Sequence, residues 1–83
     1  MKLQTALITG ANGQIGTVLT EQLRRRYGGQ NVIATDIRLP QKSDPFFEKL
    51  DVRDAKRLHD LVKKYKVTQI YHLAAILSAK GET

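Results

Sequence analysis

At 83 residues the chain has room for one small domain at most, burying about 60–65% of its unfolded surface, so a two-domain architecture does not fit. Hydrophobic content of 41% and charged content of 27% are those of a soluble globular domain, no apolar run approaches the ~20 residues of a membrane helix, and the lack of cysteine excludes disulfide scaffolds and thiolate chemistry. A net charge of +6 suggests nucleic acid or an anionic surface, yet the cations gather in Arg24-Arg25-Arg26 and Lys63-Lys64-Lys66, near two predicted helix ends where solvated side chains complement the dipole, so neither partner is expected.

The N-terminus, Met1-Lys2-Leu3-Gln4-Thr5, leads straight into a strand, without the basic region, apolar stretch and cleavage site of a secretory signal. With cysteine also absent, a cytoplasmic protein is expected. Leu3 to Thr9 reads as a short buried strand. From Gly13 to about Tyr27, Ile15, Leu19 and Leu23 recur at four-residue spacing with Val18 beside them, the stripe of an amphipathic helix. Gly28-Gly29 ends that helix. Asn31 to Asp36 is a second strand, rich in β-branched residues. A loop from Arg38 to about Pro45 follows, broken by Pro40, Ser43, Asp44 and Pro45 and too short for a crossover helix.

Phe46 to Val52 contains a third, shorter strand. Asp54 is placed to cap a helix striped by Leu58, Leu61, Val62 and Tyr65, and Val67 to Leu73 supplies a fourth strand. Strands buried on both faces and alternating with helices predict a parallel sheet. Right-handed crossovers then give the order 3-2-1-4, the N-terminal half of a doubly wound, Rossmann-type α/β fold. A ligand belongs in the crevice between the first and fourth strands. No repeat, low-complexity segment or linker interrupts this unit, and His59 and His72 lack the paired spacing of a metal site.

The stretch Thr9-Gly10-Ala11-Asn12-Gly13-Gln14-Ile15-Gly16 joins the first strand to the first helix. Gly10 permits a sharp exit from the strand, Gly13 lets a diphosphate approach the main chain, and Gly16 lets the helix pack tightly on the sheet. Gln14 and Ile15 offer backbone N–H groups at the helix start, where the dipole favours anions. Asn12 tolerates a left-handed backbone or bonds locally across the turn. A glycine-rich turn without a ligand is the plainer reading; the flanking strand, the helix and a placed acid favour a ligand.

That acid is Asp36, about 20 positions beyond Gly16, where a dinucleotide fold carries a carboxylate for the adenosine ribose. Its charge favours a free 2′-hydroxyl, hence NAD over NADP. Arg38, two positions on, is able to pair with a phosphate or cover the adenine face.

With glycines at 10, 13 and 16, Thr-Gly-x-x-Gly-x-x-Gly is the spacing of the extended short-chain dehydrogenase/reductases, and the chain resembles that family. Asp36-Ile37, Leu50-Asp51-Val52-Arg53-Asp54 and His72-Leu73-Ala74-Ala75 after the later strands agree. Within the family the segment His72 to Glu82 is most similar to short-chain L-threonine 3-dehydrogenases, relatives of the UDP-galactose 4-epimerases. The resemblance spans nearly the whole chain but only the N-terminal portion of such enzymes. It implies that Asp51 meets the adenine amino group with the Val52 backbone beside it, that Ile37 belongs to the cofactor site, and that Leu73, Ala74 and Ala75 line the cofactor beyond the crevice. Ser78 is placed to face substrate in a complete protein.

The family's catalytic Tyr-x-x-x-Lys is missing. Tyr27, Tyr65 and Tyr71 are followed four positions on by Asn31, Gln69 and Ala75. Hydride transfer with proton abstraction needs a positioned base, so this chain alone is expected not to turn over. Three readings stand: the NAD-binding part of a threonine dehydrogenase, homodimeric when complete, that oxidises threonine to 2-amino-3-ketobutyrate; the corresponding part of a sugar-nucleotide epimerase or dehydratase; and an independent nucleotide-binding module with an open sheet edge.

Overall fold

Alternate residues of an extended strand point to opposite faces, so a strand that is apolar throughout must be covered on both sides. In the computed structural model, which describes residues 4–73, β1 (Ala6–Thr9) meets that requirement at every position. Ala6 and Ile8 join Ala11, Leu23, Val32 and Ala34 in one core cluster, while Leu7 joins Leu50 and Leu61 in another. The first lies beneath α1 (Gln14–Tyr27) and the second beneath α2 (Ala55–Tyr65). One helix therefore covers each face of the sheet.

The sheet runs β3 (Phe47–Lys49), β2 (Val32–Asp36), β1, β4 (Gln69–His72), the expected order 3-2-1-4, with every pairing parallel. In register Ala6 stands against Val32 and Gln69, and Thr9 against Thr35 and His72. The two inner strands are buried along their length, whereas β3 and β4 at the edges are only partly buried. Burial on both faces, expected of all strands, holds for the inner pair alone.

Element ends carry local reasons. α1 stops at Gly28, whose φ of 92° suits glycine and whose N–H donates to the Arg24 carbonyl at 2.9 Å. The second strand starts at Val32 rather than Asn31, because Gly29–Asn31 form a 3-10 turn and the Asn31 amide donates back to the Tyr27 carbonyl at 2.7 Å. The Asp54 side chain caps α2 as expected, accepting from the Arg57 N–H at 3.0 Å. At the other end Lys66 adopts a left-handed φ of 54° and Val67 N–H bonds the Val62 carbonyl, so β4 begins only at Gln69.

Two expectations about side chains are corrected. The helical stripe is covered only in its C-terminal half: Leu23 is buried and Leu19 half-buried, but Ile15 and Val18 are 63% and 60% exposed. Arg24 does not sit in solvent with Arg25 and Arg26. It folds inward, donating to the carbonyls of Val32 and Phe46 at 3.0 and 3.2 Å and pairing with Asp44 at 2.8 Å. A guanidinium has five donors in a fork, which lets one side chain fasten α1, β2 and the β2–β3 loop together.

On the opposite face Glu48 of β3 receives Tyr65, Lys64 and Arg57 of α2. Burial pushes the Glu48 carboxyl up, but hydrogen bonds from Tyr65 and Lys64 outweigh it and leave the group below its ordinary value. This cluster ties an edge strand of three residues to its covering helix.

The tightest approach is that of α1 to the turn before it. A Cβ on Gly16 would stand 2.2 Å from the Gly10 carbonyl oxygen and 2.8 Å from the Ala11 Cα, both backbone atoms unable to swing aside. Overpacking of this kind costs about 1–3 kcal/mol or more. Gly16→Ala is therefore expected to lower the urea midpoint by at least that stability with an unchanged slope; an unaltered midpoint would show that helix and turn are farther apart in solution.

Candidate functional site

Parallel strands deliver all their C-terminal ends to one edge of the sheet, and the predicted residues gather there. The turn after β1, the acid ending β2, the Asp51-Val52 pair beyond β3 and Leu73 after β4 follow four neighbouring strands.

Gly10 leaves β1 with a φ of 73°, a left-handed conformation that favours glycine. Ala11 N–H donates to the Thr35 carbonyl at 3.0 Å, which continues the β1–β2 pairing one step into the turn. Gly13 N–H closes the turn on the Gly10 carbonyl at 3.2 Å. Gly13 then caps α1 with no side-chain hydrogen bond, and the first helical turn holds no acidic residue. Gln14 and Ile15, both exposed, thus start a helix whose leading amides have no intrahelical acceptor and whose positive end is not neutralised locally. Glycine at the closest approach, a positive-φ exit and an acid-free helix start suit a bound diphosphate.

Asp36 is 9% exposed and held by backbone donors on both oxygens. Its Oδ2 accepts from the Asn12 N–H at 3.0 Å and its Oδ1 from the Arg38 N–H at 3.2 Å. The Asn12 side-chain amide donates to the Arg38 carbonyl at 2.7 Å. Asn12 is not left-handed, the positive-φ non-glycine among the described residues being Lys66, and its side chain bonds across to the next loop rather than within its own turn. Both local expectations for Asn12 are corrected. The glycine turn and Asp36 are hydrogen-bonded to each other, a link that residue spacing does not reveal.

Beside this link a hollow of about 310 Å³ is bounded by Asn12, Thr17, Arg38, Leu39, Pro40 and Gln41. A larger one of about 590 Å³ runs between α1 and the β2–β3 loop and contains the Arg24–Asp44 pair. The smaller hollow is the one adjoining Arg38, whose side chain is exposed.

Ile37 and Val52 lie exposed, at 59% and 36%, on the two loops flanking Asp36 and leave apolar surface for a flat ring. Leu50 N–H donates to the Asp36 carbonyl at 3.0 Å, which brings the start of the Asp51 loop against the acid. Asp51 itself is engaged by Arg53, through the backbone N–H at 2.9 Å and the guanidinium at 2.7 Å. A base amino group would compete with that fork for the same oxygens. Leu73 is half-buried and packs on the α1-side core at the end of β4. Ala74, Ala75 and Ser78 lie outside the described residues. Within them no group of three or more His, Asp or Glu side chains is arranged to hold a metal, and no helix is long and apolar enough to cross a membrane.

A glycine turn, a backbone-anchored acid and a shared strand-end crevice define a dinucleotide-binding Rossmann-type unit. Residues 6–83 match the model of the NAD dependent epimerase/dehydratase family, and the chain belongs to that family. An uncharacterized epimerase/dehydratase of Staphylococcus epidermidis is 46% identical over 84 residues, covering 96% of this chain and 26% of the relative. Among solved structures, L-threonine dehydrogenase from Clostridium difficile superposes with a TM-score of 0.80 at 45% identity, over 88% of this chain and 24% of its own. The holo form of the GalE-like L-threonine dehydrogenase from Cupriavidus necator gives 0.82 at 43% identity, over 94% and 26%. The chain thus spans about a quarter of the length of the relatives it matches. NAD is the cofactor of its family.

The Arg53 fork has a pH signature. Hydrogen bonds from the Arg53 side chain, then from its backbone, hold the Asp51 carboxyl down at about 2. Since the folded value lies below the unfolded one, the contact stabilises the folded chain above about pH 4 and is lost as pH falls toward about 2. The effect on overall stability is small, because an exposed pair is screened by solvent. A carboxyl-detected NMR titration should find the Asp51 midpoint near 2 in the wild type and raised partway toward the ordinary value of about 4 in Arg53→Gln, which keeps the backbone N–H. An ordinary midpoint in the wild type would mean that the fork does not form in solution.

Proposed function

We propose that this chain is the N-terminal, NAD-binding part of an NAD-dependent L-threonine 3-dehydrogenase, with residues 1–83 forming part of a Rossmann domain whose catalytic and substrate-binding portion lies in a longer protein. The observation that carries the reading is the likeness to two threonine dehydrogenases at 43–45% identity over most of the chain. In the complete enzyme the reaction is oxidation of L-threonine to 2-amino-3-ketobutyrate, with NAD, when bound, supplying the hydride acceptor.

The chain's own residues bind and orient. Gly10, Gly13, Gln14, Ile15 and Gly16 form the diphosphate cradle, Asn12 of the same turn braces Asp36, and Asp36 accepts from the adenosine ribose hydroxyls. Ile37 and Val52 enclose the base, Arg38 covers its outer side, and Asp51 receives its amino group. Leu73, Ala74 and Ala75 line the far side of the crevice, and Ser78 faces the threonine. No tyrosine here is followed four positions on by lysine, so the proton-abstracting residue belongs to the remainder of the protein and this chain alone does not turn over. The complete enzyme is a cytoplasmic homodimer.

A second reading, the corresponding part of a sugar-nucleotide epimerase or dehydratase, is favoured by the name of the family and of its Staphylococcus relatives. Both readings use the same cofactor cradle and differ in substrate.

Asp36 separates cofactor from decoy. A carboxylate that accepts hydroxyl protons repels a 2′-phosphate, and a hydrogen bond to a charged group contributes about 1.5–3 kcal/mol. Calorimetric titration should show NAD bound more than about tenfold tighter than NADP by the wild type, with that preference lost in Asp36→Ala. Equal affinities in the wild type would remove the ribose role. Assay of the full-length protein on threonine and on UDP-sugars decides between the readings: NADH formation with threonine is expected, and turnover of UDP-sugars alone would overturn the threonine assignment.

A further inference from the structure

We infer that Asn12 is a positioning residue for the ribose acid, acting through Asp36 and the loop after it rather than through the cofactor. This rests on the cofactor reading above and adds how the acid comes to select its ligand. Each carboxylate oxygen carries two lone pairs. One on Oδ2 is taken by the Asn12 N–H at 3.0 Å and one on Oδ1 by the Arg38 N–H at 3.2 Å. The remaining lone pair on each oxygen matches the two adjacent hydroxyls of a ribose. A carboxylate free to rotate about its χ2 bond has no such division.

The Asn12 side chain completes the frame. Its Nδ2 donates to the Arg38 carbonyl at 2.7 Å. The N–H that donates to Oδ1 and the carbonyl that accepts from Asn12 both belong to Arg38, which is therefore clamped from both sides. Asn12, Asp36 and Arg38 form a closed ring of three hydrogen bonds joining the β1–α1 turn to the β2–β3 loop. Asp36 is buried to within 9%, so its charge has few water partners and these two amides are its fixed support. An alanine at position 12 keeps the backbone N–H but releases Arg38, freeing one side of the frame. The consequence falls on recognition of the diol and spares the diphosphate cradle, which is built from the glycine turn and the helix start.

The test compares AMP, 2′-deoxy-AMP, 3′-deoxy-AMP and ADP as ligands of the wild type and of Asn12→Ala. For the wild type, removal of either hydroxyl is expected to weaken AMP binding about tenfold. In Asn12→Ala that loss should shrink to about twofold, while the gain from AMP to ADP stays within about twofold of the wild-type gain. A variant that keeps the full hydroxyl dependence overturns the inference and leaves the cofactor reading intact. A variant that loses ADP and AMP affinity in equal proportion with hydroxyl dependence retained assigns Asn12 to the turn alone, and also overturns it. Failure of the wild type to bind any of the nucleotides, NAD included, overturns both. A measurement on the unaltered protein stands beside these: exchange of the Asn12 backbone amide with solvent should be slowed, and unprotected exchange at that amide refutes the frame.

Discussion

The missing Cβ at Gly16 sets the geometry on which the remainder of the site depends. With only 2.2 Å between that position and the Gly10 carbonyl oxygen, no other residue brings α1 this close to the turn that precedes it. The closeness presents the leading amides of α1 at the end of the central strand, and it lets Ala11 reach Thr35 and extend the β1–β2 pairing into the turn. A helix held farther off would leave its dipole pointing at solvent and the turn without support from the neighbouring strand. Gly10, with its φ of 73°, is the second half of the same constraint, because the chain must reverse sharply to enter the helix at that distance.

Parallel pairing does the remaining assembly. Because β3, β2, β1 and β4 run in one direction, the residues following each come out on one edge, and a turn, an acid and two loops separated by tens of residues become neighbours. The β2–β3 connection has no helix to hold it, and electrostatics takes that part. Arg24 pins the loop through Asp44 and the Phe46 carbonyl, and Arg57, Lys64 and Tyr65 pin β3 through Glu48. The chain's basic residues near its helix ends thus divide between dipole-facing cations in solvent and cations that fasten the fold.

The exposed Ile15 and Val18 fit the same architecture. They lie on the part of α1 nearest the glycine turn, and the sheet beneath α1 ends at β4 among the described residues. The turn belongs to the stretch that matches the NAD dependent epimerase/dehydratase family. Among the 83 residues no tyrosine is followed four positions on by a lysine.

Periodicity and glycine spacing are local properties, and what they govern was legible. The three glycines, the alternation of strands with helices, the Asp54 cap and the broken β2–β3 loop led to the strand order and to the edge where the site lies. Their physical basis is the steric preference of each residue and its neighbours within four positions. Asn12 meeting Asp36 across 24 positions, Arg24 meeting Asp44 across 20 and Glu48 meeting Tyr65 across 17 depend instead on where loops close and which strands pair. The stripe on α1 fixed a helix and an apolar side, but how much of that side is covered depends on the extent of the sheet beneath it. The amino-acid pattern alone determined the elements, their order and the chemical type of the site. The hydrogen-bonded ring of Asn12, Asp36 and Arg38 arose only in the folded chain, because one partner in each of its bonds is a backbone group that every residue carries and that only three-dimensional proximity selects.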